Sequence, residues 1–204
     1  MSKKSFFESS YKRAQRAEDL PWHRDCRPKF LTDALQQKKA PAKALDVGCG
    51  TGTYSVMMAQ NGYEVTGIDF VEAALEMARD RATAAEVSIA FEQADVCAYT
   101  PQESFDLVLD SGCLHSLSDK HKYRQNLLSW LRPGGQFILV HFNKRHFFDW
   151  RPMGPSRWKQ AQLEEFLGAE FQLKEYHEEI RKVPLPIGPS ALISTYWFQR
   201  MPEA

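Results

Sequence analysis

Asp46, Gly48, Gly50, Gly52 and Asp69 are the residues whose types and spacing could do chemistry. The stretch Leu45-Asp46-Val47-Gly48-Cys49-Gly50-Thr51-Gly52 runs into Tyr54-Ser55-Val56-Met57-Met58-Ala59 and reads as a short buried strand, a glycine turn and a helix. Glycines let the backbone take left-handed angles and let a ligand approach the main chain closely. The helix start beyond them offers free N–H groups and a partial positive charge. A dinucleotide site puts a pyrophosphate there and reads G-x-G-x-x-G. Here Asp46 precedes the turn. A carboxylate aimed at it repels a pyrophosphate and suits a ligand with no phosphates and a cationic end. Asp69 closes the next apolar run, Glu64-Val65-Thr66-Gly67-Ile68, about twenty residues on, where an acidic side chain can accept from both ribose hydroxyls. The set points to an adenosyl ligand. The alternative is a tight strand–helix turn that holds nothing.

The elements that must position these residues follow in alternation. Val71, Ala74, Leu75 and Ala78 have helical spacing between Val71 and Arg81. Val87 to Phe91 reads as a third strand leading to Asp95 and Val96, and Phe105 to Leu109 as a fourth ending in Asp110-Ser111-Gly112-Cys113-Leu114-His115. A helix from about Asp119 to Leu131 is broken by Arg132-Pro133-Gly134-Gly135, and Gln136 to Val140 is a fifth strand. Glu170 to Lys174 and Thr195 to Gln199 read as closing strands. Alternating strands and helices predict a parallel sheet with right-handed crossovers, in which ligands bind beyond the strands' carboxyl ends. Asp46, Asp69, Asp95 and Asp110 would then cluster on one edge.

With these motifs in place, the sequence resembles the class I S-adenosylmethionine-dependent methyltransferases over roughly residues 40 to 145. The resemblance rests on Leu45 to Gly52, Gly67-Ile68-Asp69, Ala94-Asp95-Val96, Phe105-Asp106-Leu107-Val108 and Leu131-Arg132-Pro133-Gly134-Gly135. It implies a single Rossmann-like, doubly wound α/β sheet, mostly parallel with an antiparallel C-terminal strand and helices on both faces. It also implies S-adenosyl-L-methionine as cofactor and S-adenosyl-L-homocysteine as product. Gly48, Cys49 and Gly50 would cradle the methionine moiety and sugar, and Asp69 the ribose hydroxyls. Phe70 would pack on adenine, Asp95 would accept from its amino group beside Val96, and Asp110 would face the methionine amino group. Leu20-Pro21-Trp22 and the Asp110 to His115 stretch are similar to the thiopurine S-methyltransferase-like subgroup, which implies small sulfur, selenium, tellurium or oxygen nucleophiles as acceptors.

Composition bounds the partners. The 204 residues suffice for one domain, read as 1–204 with a helical N-terminal extension over 1–40. Basic and acidic residues balance at 26 each, against a surface built for long nucleic-acid contacts. No apolar run reaches the roughly 20 residues of a membrane span, and no apolar segment of a signal peptide follows the first lysines. Cys26, Cys49, Cys97 and Cys113 lack C-x-x-C spacing, which suits a reducing cytoplasm and predicts no metal. A monomer or homodimer acting on a small molecule is expected.

Two segments should choose the acceptor. Residues 141–159 hold Phe142, Phe147, Phe148, Trp150 and Trp158 with Lys144, Arg145, Arg151, Arg157 and Lys159, and only Asp149 is acidic. The stretch reads as a lid over a flat acceptor or as a surface loop with buried aromatics. The proline-rich run Val183 to Pro189 reads as a connection bordering the acceptor pocket. Trp22 either forms part of the wall over a sulfonium, where an aromatic face favours positive charge, or packs in the core. His115 is the candidate general base for a hydroxyl acceptor, with His141 second; its other reading is a structural histidine. Action on RNA or protein, or cofactor binding without catalysis, are the competing functions. The Asp110-Ser111-Gly112-Cys113 strand end differs from the Asn-Pro-Pro-Tyr type of base-methylating enzymes.

Overall fold

The computed structural model describes residues 3–23, 28–37, 42–143, 156–181 and 190–202. Seven strands form one sheet in the order β3-β2-β1-β4-β5-β7-β6. They are β1 Lys43–Val47, β2 Glu64–Asp69, β3 Ala90–Gln93, β4 Phe105–Ser111, β5 Leu131–Asn143, β6 Phe171–Arg181 and β7 Ala191–Arg200. The helices are α1 Lys3–Arg13, α2 Leu31–Gln36, α3 Thr53–Gln60, α4 Glu72–Ala84, α5 Lys120–Trp130 and α6 Gln160–Leu167. Strands β1 to β5 pair in parallel, and β7 runs antiparallel to both β5 and β6. One reversed strand in a parallel sheet is the arrangement expected from the motifs.

Burial explains why the central strands carry continuous apolar runs. β1 and β4 are covered on both faces, so nearly every residue is buried, whereas edge strand β6 is mostly exposed. On one face Tyr123, Leu127 and Trp130 of α5 and Leu163 and Leu167 of α6 pack on Val108, Phe137, Leu139 and Tyr196. On the other, Leu31, Ala34 and Leu35 of α2 and Met58 of α3 pack on Leu107, Leu109, Ile138 and Trp197. Each fully buried large apolar side chain contributes about 1.5–3 kcal/mol by leaving water.

Three boundaries differ from the sequence reading. The third strand begins at Ala90, because the Val87 amide is spent on the Ala82 carbonyl at the end of α4 and Glu86 takes a left-handed φ of 55°. The fifth begins at Leu131, which pairs with Phe105. Pro133 to Gly135 then form an irregular stretch before Gln136 rejoins opposite Leu107. The closing strands extend to Arg181 and from Ala191, because cross-strand pairing with β7 carries charged Glu175, Glu178 and Glu179 that strand propensity disfavours. The N-terminal extension is helical in pieces: α1, a 3-10 turn Ala17–Asp19, and α2. Cys26, residues 144–155 of the segment read as a lid or a surface loop, and the Val183 to Pro189 run lie outside the described residues.

Candidate active site

The parallel strands bring the acidic residues to one edge. Asp46 sits one residue before the end of β1, Asp69 ends β2, Asp95 lies just past β3, and Asp110 is one residue before the end of β4 and pairs with Val47. Between them runs the glycine turn. Gly48 and Gly50 hold φ values of 66° and 54°, which L side chains resist. A Cβ on Gly50 would stand 2.9 Å from the Tyr11 hydroxyl, so a side chain there would also fill the space over the turn.

Asp69 organises this edge. One carboxylate oxygen accepts from the Gly50 amide at 3.0 Å and the other from the Val71 amide at 2.9 Å. Each oxygen keeps acceptor capacity for a ribose hydroxyl. Burial pushes its carboxyl upward against those hydrogen bonds. Asp95 is exposed; one oxygen accepts from the Cys97 amide at 2.8 Å, which leaves the other for an amino group. Val96 is buried beside it, and its carbonyl accepts from Asn126 at 2.9 Å. Phe70 is half-buried at the same edge, with the Phe7 ring edge-on at 6.1 Å.

Two aspartates turn inward. Asp46 accepts from the Ser55 hydroxyl at 2.6 Å and so ties the end of β1 to the first turn of α3. Burial raises its carboxyl to about 7, and Asp110 and Asp69 add to that. It therefore meets the turn through α3 and its field, not by facing a ligand. Asp110 corrects the expectation that its carboxylate faces a methionine amino group. Its oxygens accept from the amides of Gly112, Cys113 and Leu114 and from the Tyr123 hydroxyl at 2.7 Å. Four donors occupy the carboxylate, so Asp110 folds the loop after β4. Burial still raises its carboxyl to about 6.

Cys49 is buried, with its amide on the Ile68 carbonyl at 2.9 Å and its thiol raised by burial, so it seats the turn on β2. Trp22 stands one layer out. Its indole N–H donates to the Tyr11 hydroxyl at 3.2 Å, and its ring meets Phe7 and Tyr11 edge-on at 5.1 and 5.5 Å. Tyr11, not Trp22, reaches the glycine turn. Burial, then the Asp69 charge, raise its phenol far above the ordinary range. Tyr11 and Phe7 escaped the sequence reading, although their i,i+4 spacing on one helix face was a usable signal.

The acceptor side begins at the end of β4. A Cβ on Gly48 would lie 3.1 Å from the Cys113 Cβ, and one on Gly112 would lie 3.2 Å from the His115 ring. The buried His115 ring meets Phe142 edge-on at 4.8 Å and His141 at 5.7 Å. Its carbonyl accepts from the Ser156 amide and hydroxyl at 3.0 and 2.9 Å. His141 is 1% exposed, and burial lowers its imidazole to about 4 although the Phe142 backbone and Asn143 side chain favour the proton. Sequence spacing suggested His115 and His141 separately; the sheet places them side by side.

Among the described residues no group of three or more His, Cys, Asp or Glu side chains could hold a metal ion, and no helix is long and apolar enough to cross a membrane.

The sheet order, the glycine turn and its acidic neighbours define the class I fold of S-adenosylmethionine-dependent methyltransferases. A methyltransferase-domain family profile matches residues 38–183, and the chain belongs to that family. Among curated relatives it is similar to the 2-heptyl-1-hydroxyquinolin-4(1H)-one methyltransferase of Mycobacteroides abscessus, 28% identical over 69% of this chain and 65% of that protein. It is also similar to the 27-O-demethylrifamycin SV methyltransferase of Amycolatopsis mediterranei, 38% identical over 55% of this chain and 44% of that protein. The ubiquinone biosynthesis O-methyltransferase of Pseudomonas entomophila is 33% identical over 66% of this chain and 53% of that protein. The matched part of this chain thus spans about half to two thirds of these relatives' length.

Among solved structures, the 1,6-didemethyltoxoflavin-N1-methyltransferase of Burkholderia thailandensis, with bound 1,6-didemethyltoxoflavin and S-adenosylhomocysteine, superposes at a TM-score of 0.70. It covers 98% of this chain and 87% of that one at 22% identity. A structure concerned with converting a disulfide bond into a thioacetal group during echinomycin biosynthesis gives a TM-score of 0.75 at 23% identity, covering 97% and 91% of the two chains. At these identities the likeness is one of fold. S-Adenosylmethionine is the cofactor of the family. The residues here fit it: Asp69 has acceptor capacity for a diol and Asp95 an oxygen for an amino group.

Proposed function

We propose that this protein transfers a methyl group from S-adenosylmethionine to a small-molecule nucleophile by in-line displacement. The carrying observation is the Asp69–Gly50 bond at 3.0 Å, on the same sheet edge as Asp95 and Phe70. In this reading Asp69 holds the ribose, Phe70 and Val96 flank adenine, and Asp95 takes its amino group. Gly48 and Gly50 let the turn take its left-handed angles, and Tyr11, hydrogen-bonded by Trp22, stands over it. When bound, the cofactor supplies an electrophilic methyl group on a sulfonium.

The protein's own work is then alignment and exclusion of water, which can lower a barrier by several kcal/mol, up to roughly 7–11. The acceptor would lie between the glycine turn and the ends of β4 and β5, beside the neighbouring rings of His115 and His141. The relatives support a small acceptor, since those named above act on a hydroxyquinolone, a rifamycin and a ubiquinone precursor step. Oxygen, sulfur, selenium and tellurium nucleophiles all remain within the proposal.

Calorimetry with S-adenosylmethionine and S-adenosylhomocysteine tests the cofactor half. A flat titration with both would overturn the reading. S-Adenosylhomocysteine release on a panel of small hydroxyl and thiol compounds, with bulk RNA and protein alongside, tests the acceptor half. Turnover on the macromolecules alone would overturn the small-molecule assignment.

A further inference from the structure

Three buried polar atoms at the carboxyl end of β5 lack a hydrogen-bond partner among the described residues: Nδ1 and Nε2 of His141 and Oδ1 of Asn143. The two side chains are two residues apart on one strand, so they share a face, and they are 1% and 3% exposed. Their surroundings are otherwise well paired. The Asn143 amide donates to the Tyr196 hydroxyl at 2.5 Å and to the Tyr176 hydroxyl at 3.3 Å. The Tyr176 hydroxyl in turn bonds Glu178 and lies 3.3 Å from the Ser194 hydroxyl. An orphaned buried polar atom costs about 1–3 kcal/mol. This neighbourhood fixes Asn143 by its amide, while its carbonyl oxygen and both His141 nitrogens make no well-formed hydrogen bond and keep polar capacity for a ligand.

The shape of that something can be read from the walls. Aromatic rings surround the imidazole: His115 at 5.7 Å, Trp158 at 5.8 Å and tilted only 34° from it, with Phe142 against His115 at 4.8 Å. These are surfaces for a flat ring. A neutral imidazole offers one N–H donor and one acceptor nitrogen, and Asn143 Oδ1 offers a second acceptor. The complement is a planar ring bearing a hydroxyl and a second polar group. The cluster also adjoins the cofactor turn, through Gly48 against Cys113 and Gly112 against His115. Trp158 stands beside it, its amide donating to the Phe142 carbonyl at 3.3 Å and its ring meeting Phe166 at 5.0 Å and the Lys120 ammonium at 5.8 Å.

We propose that the His141–Asn143 end of β5 is the floor of the acceptor site, that it takes a hydroxylated aromatic or heteroaromatic ring, and that His141 removes the acceptor's proton. This rests on the methyl-transfer reading and selects oxygen within it. The step balances: the acceptor O–H proton goes to an imidazole nitrogen, the oxygen's electron pair forms the bond to the methyl carbon, and the methyl–sulfur bond breaks with its pair on sulfur. A thiol or selenol ionises near neutral pH and needs no such base, so an orphaned buried imidazole is of little use to it.

The test measures S-adenosylmethionine affinity by calorimetry, then turnover on catechol, 2-hydroxypyridine and 8-hydroxyquinoline against thiophenol and selenite. Methylation of at least one hydroxylated ring is expected. His141→Gln should lower kcat on it by about 100-fold or more and leave cofactor affinity unchanged. His141→Phe should abolish that turnover while its melting temperature holds or rises, because it removes two unpaired polar atoms. A packing role alone would leave kcat intact. Turnover confined to thiophenol or selenite, wild-type kcat in His141→Gln, or cofactor binding with no turnover on any ring each overturns the proposal. Failure of the cofactor to bind overturns the methyl-transfer reading itself.

Discussion

The two halves of the sheet treat buried polar groups in opposite ways. From β1 to β4 the carboxylates Asp46, Asp69 and Asp110 are met by nearby donors: Ser55, the Gly50 and Val71 amides, and four groups around Asp110. From β5 to β7 the pairing runs between strands distant in sequence, and His141 and Asn143 keep unmet atoms. The first half meets its carboxylates with backbone amides and nearby hydroxyls, whereas the second leaves His141 and Asn143 atoms without a well-formed hydrogen bond. The first region is ordered by turns local in sequence, the second by cross-strand pairing and packing between distant segments.

The contrast can be broken from either side. The largest expected effect is on stability: Asp110→Ala strands three amides and the Tyr123 hydroxyl in the core and should cost about 3–5 kcal/mol, read by urea denaturation. A loss below 1 kcal/mol would show that the loop after β4 does not depend on this carboxylate. Asp69→Ala should come next, weakening S-adenosylmethionine binding by about 100-fold, since charge-assisted hydrogen bonds contribute about 1.5–3 kcal/mol each; calorimetry reads it, and equal affinity would remove Asp69 from the site.

Acid should then separate the halves by sign. Asp46 is raised by burial from 3.8 to about 7, so the folded chain keeps a proton that the unfolded chain releases. Its contribution is complete below the lower value and is lost as pH rises toward 7. Asp46→Asn should gain melting temperature over the parent as pH climbs through that window. His141 is lowered by burial from 6.5 to about 4, so the folded chain refuses a proton that the unfolded chain takes up. The parent loses stability as pH falls between those values, and His141→Phe should gain over it in acid, by up to about 3 kcal/mol. Parallel pH curves for a variant and the parent would deny the corresponding shift. The smallest effect is expected from Tyr11→Phe. It removes the hydroxyl over Gly50 and should weaken cofactor affinity by about 1 kcal/mol, roughly fivefold, with the Trp22 indole left unpaired.

The aspartates show how far the sequence could be read. Strand, turn and helix from Leu45 to Ala59 are contiguous, so glycine angles, the helix start and the place of Asp69 follow from short-range rules. Parallel pairing then puts Asp46, Asp69, Asp95 and Asp110 on one edge, as the alternation of elements required. Which of them face outward was not legible. Asp110 looks equivalent to Asp69 in sequence, yet its loop curls back to use every lone pair. Tyr11 lies 39 positions from Gly50 and meets it only because α1 packs on α4.

The sequence by itself determined the class of fold, the cofactor edge and the family, because each is written in residues close together along the chain. The tertiary structure decided that Tyr11 rather than Trp22 stands over the turn, that Asp110 serves the fold, and that His115, His141 and Asn143 share one place. The first depends on α1 packing against α4, the second on the loop after β4 folding back onto its own carboxylate, and the third on the register of β5 against β4 and β7.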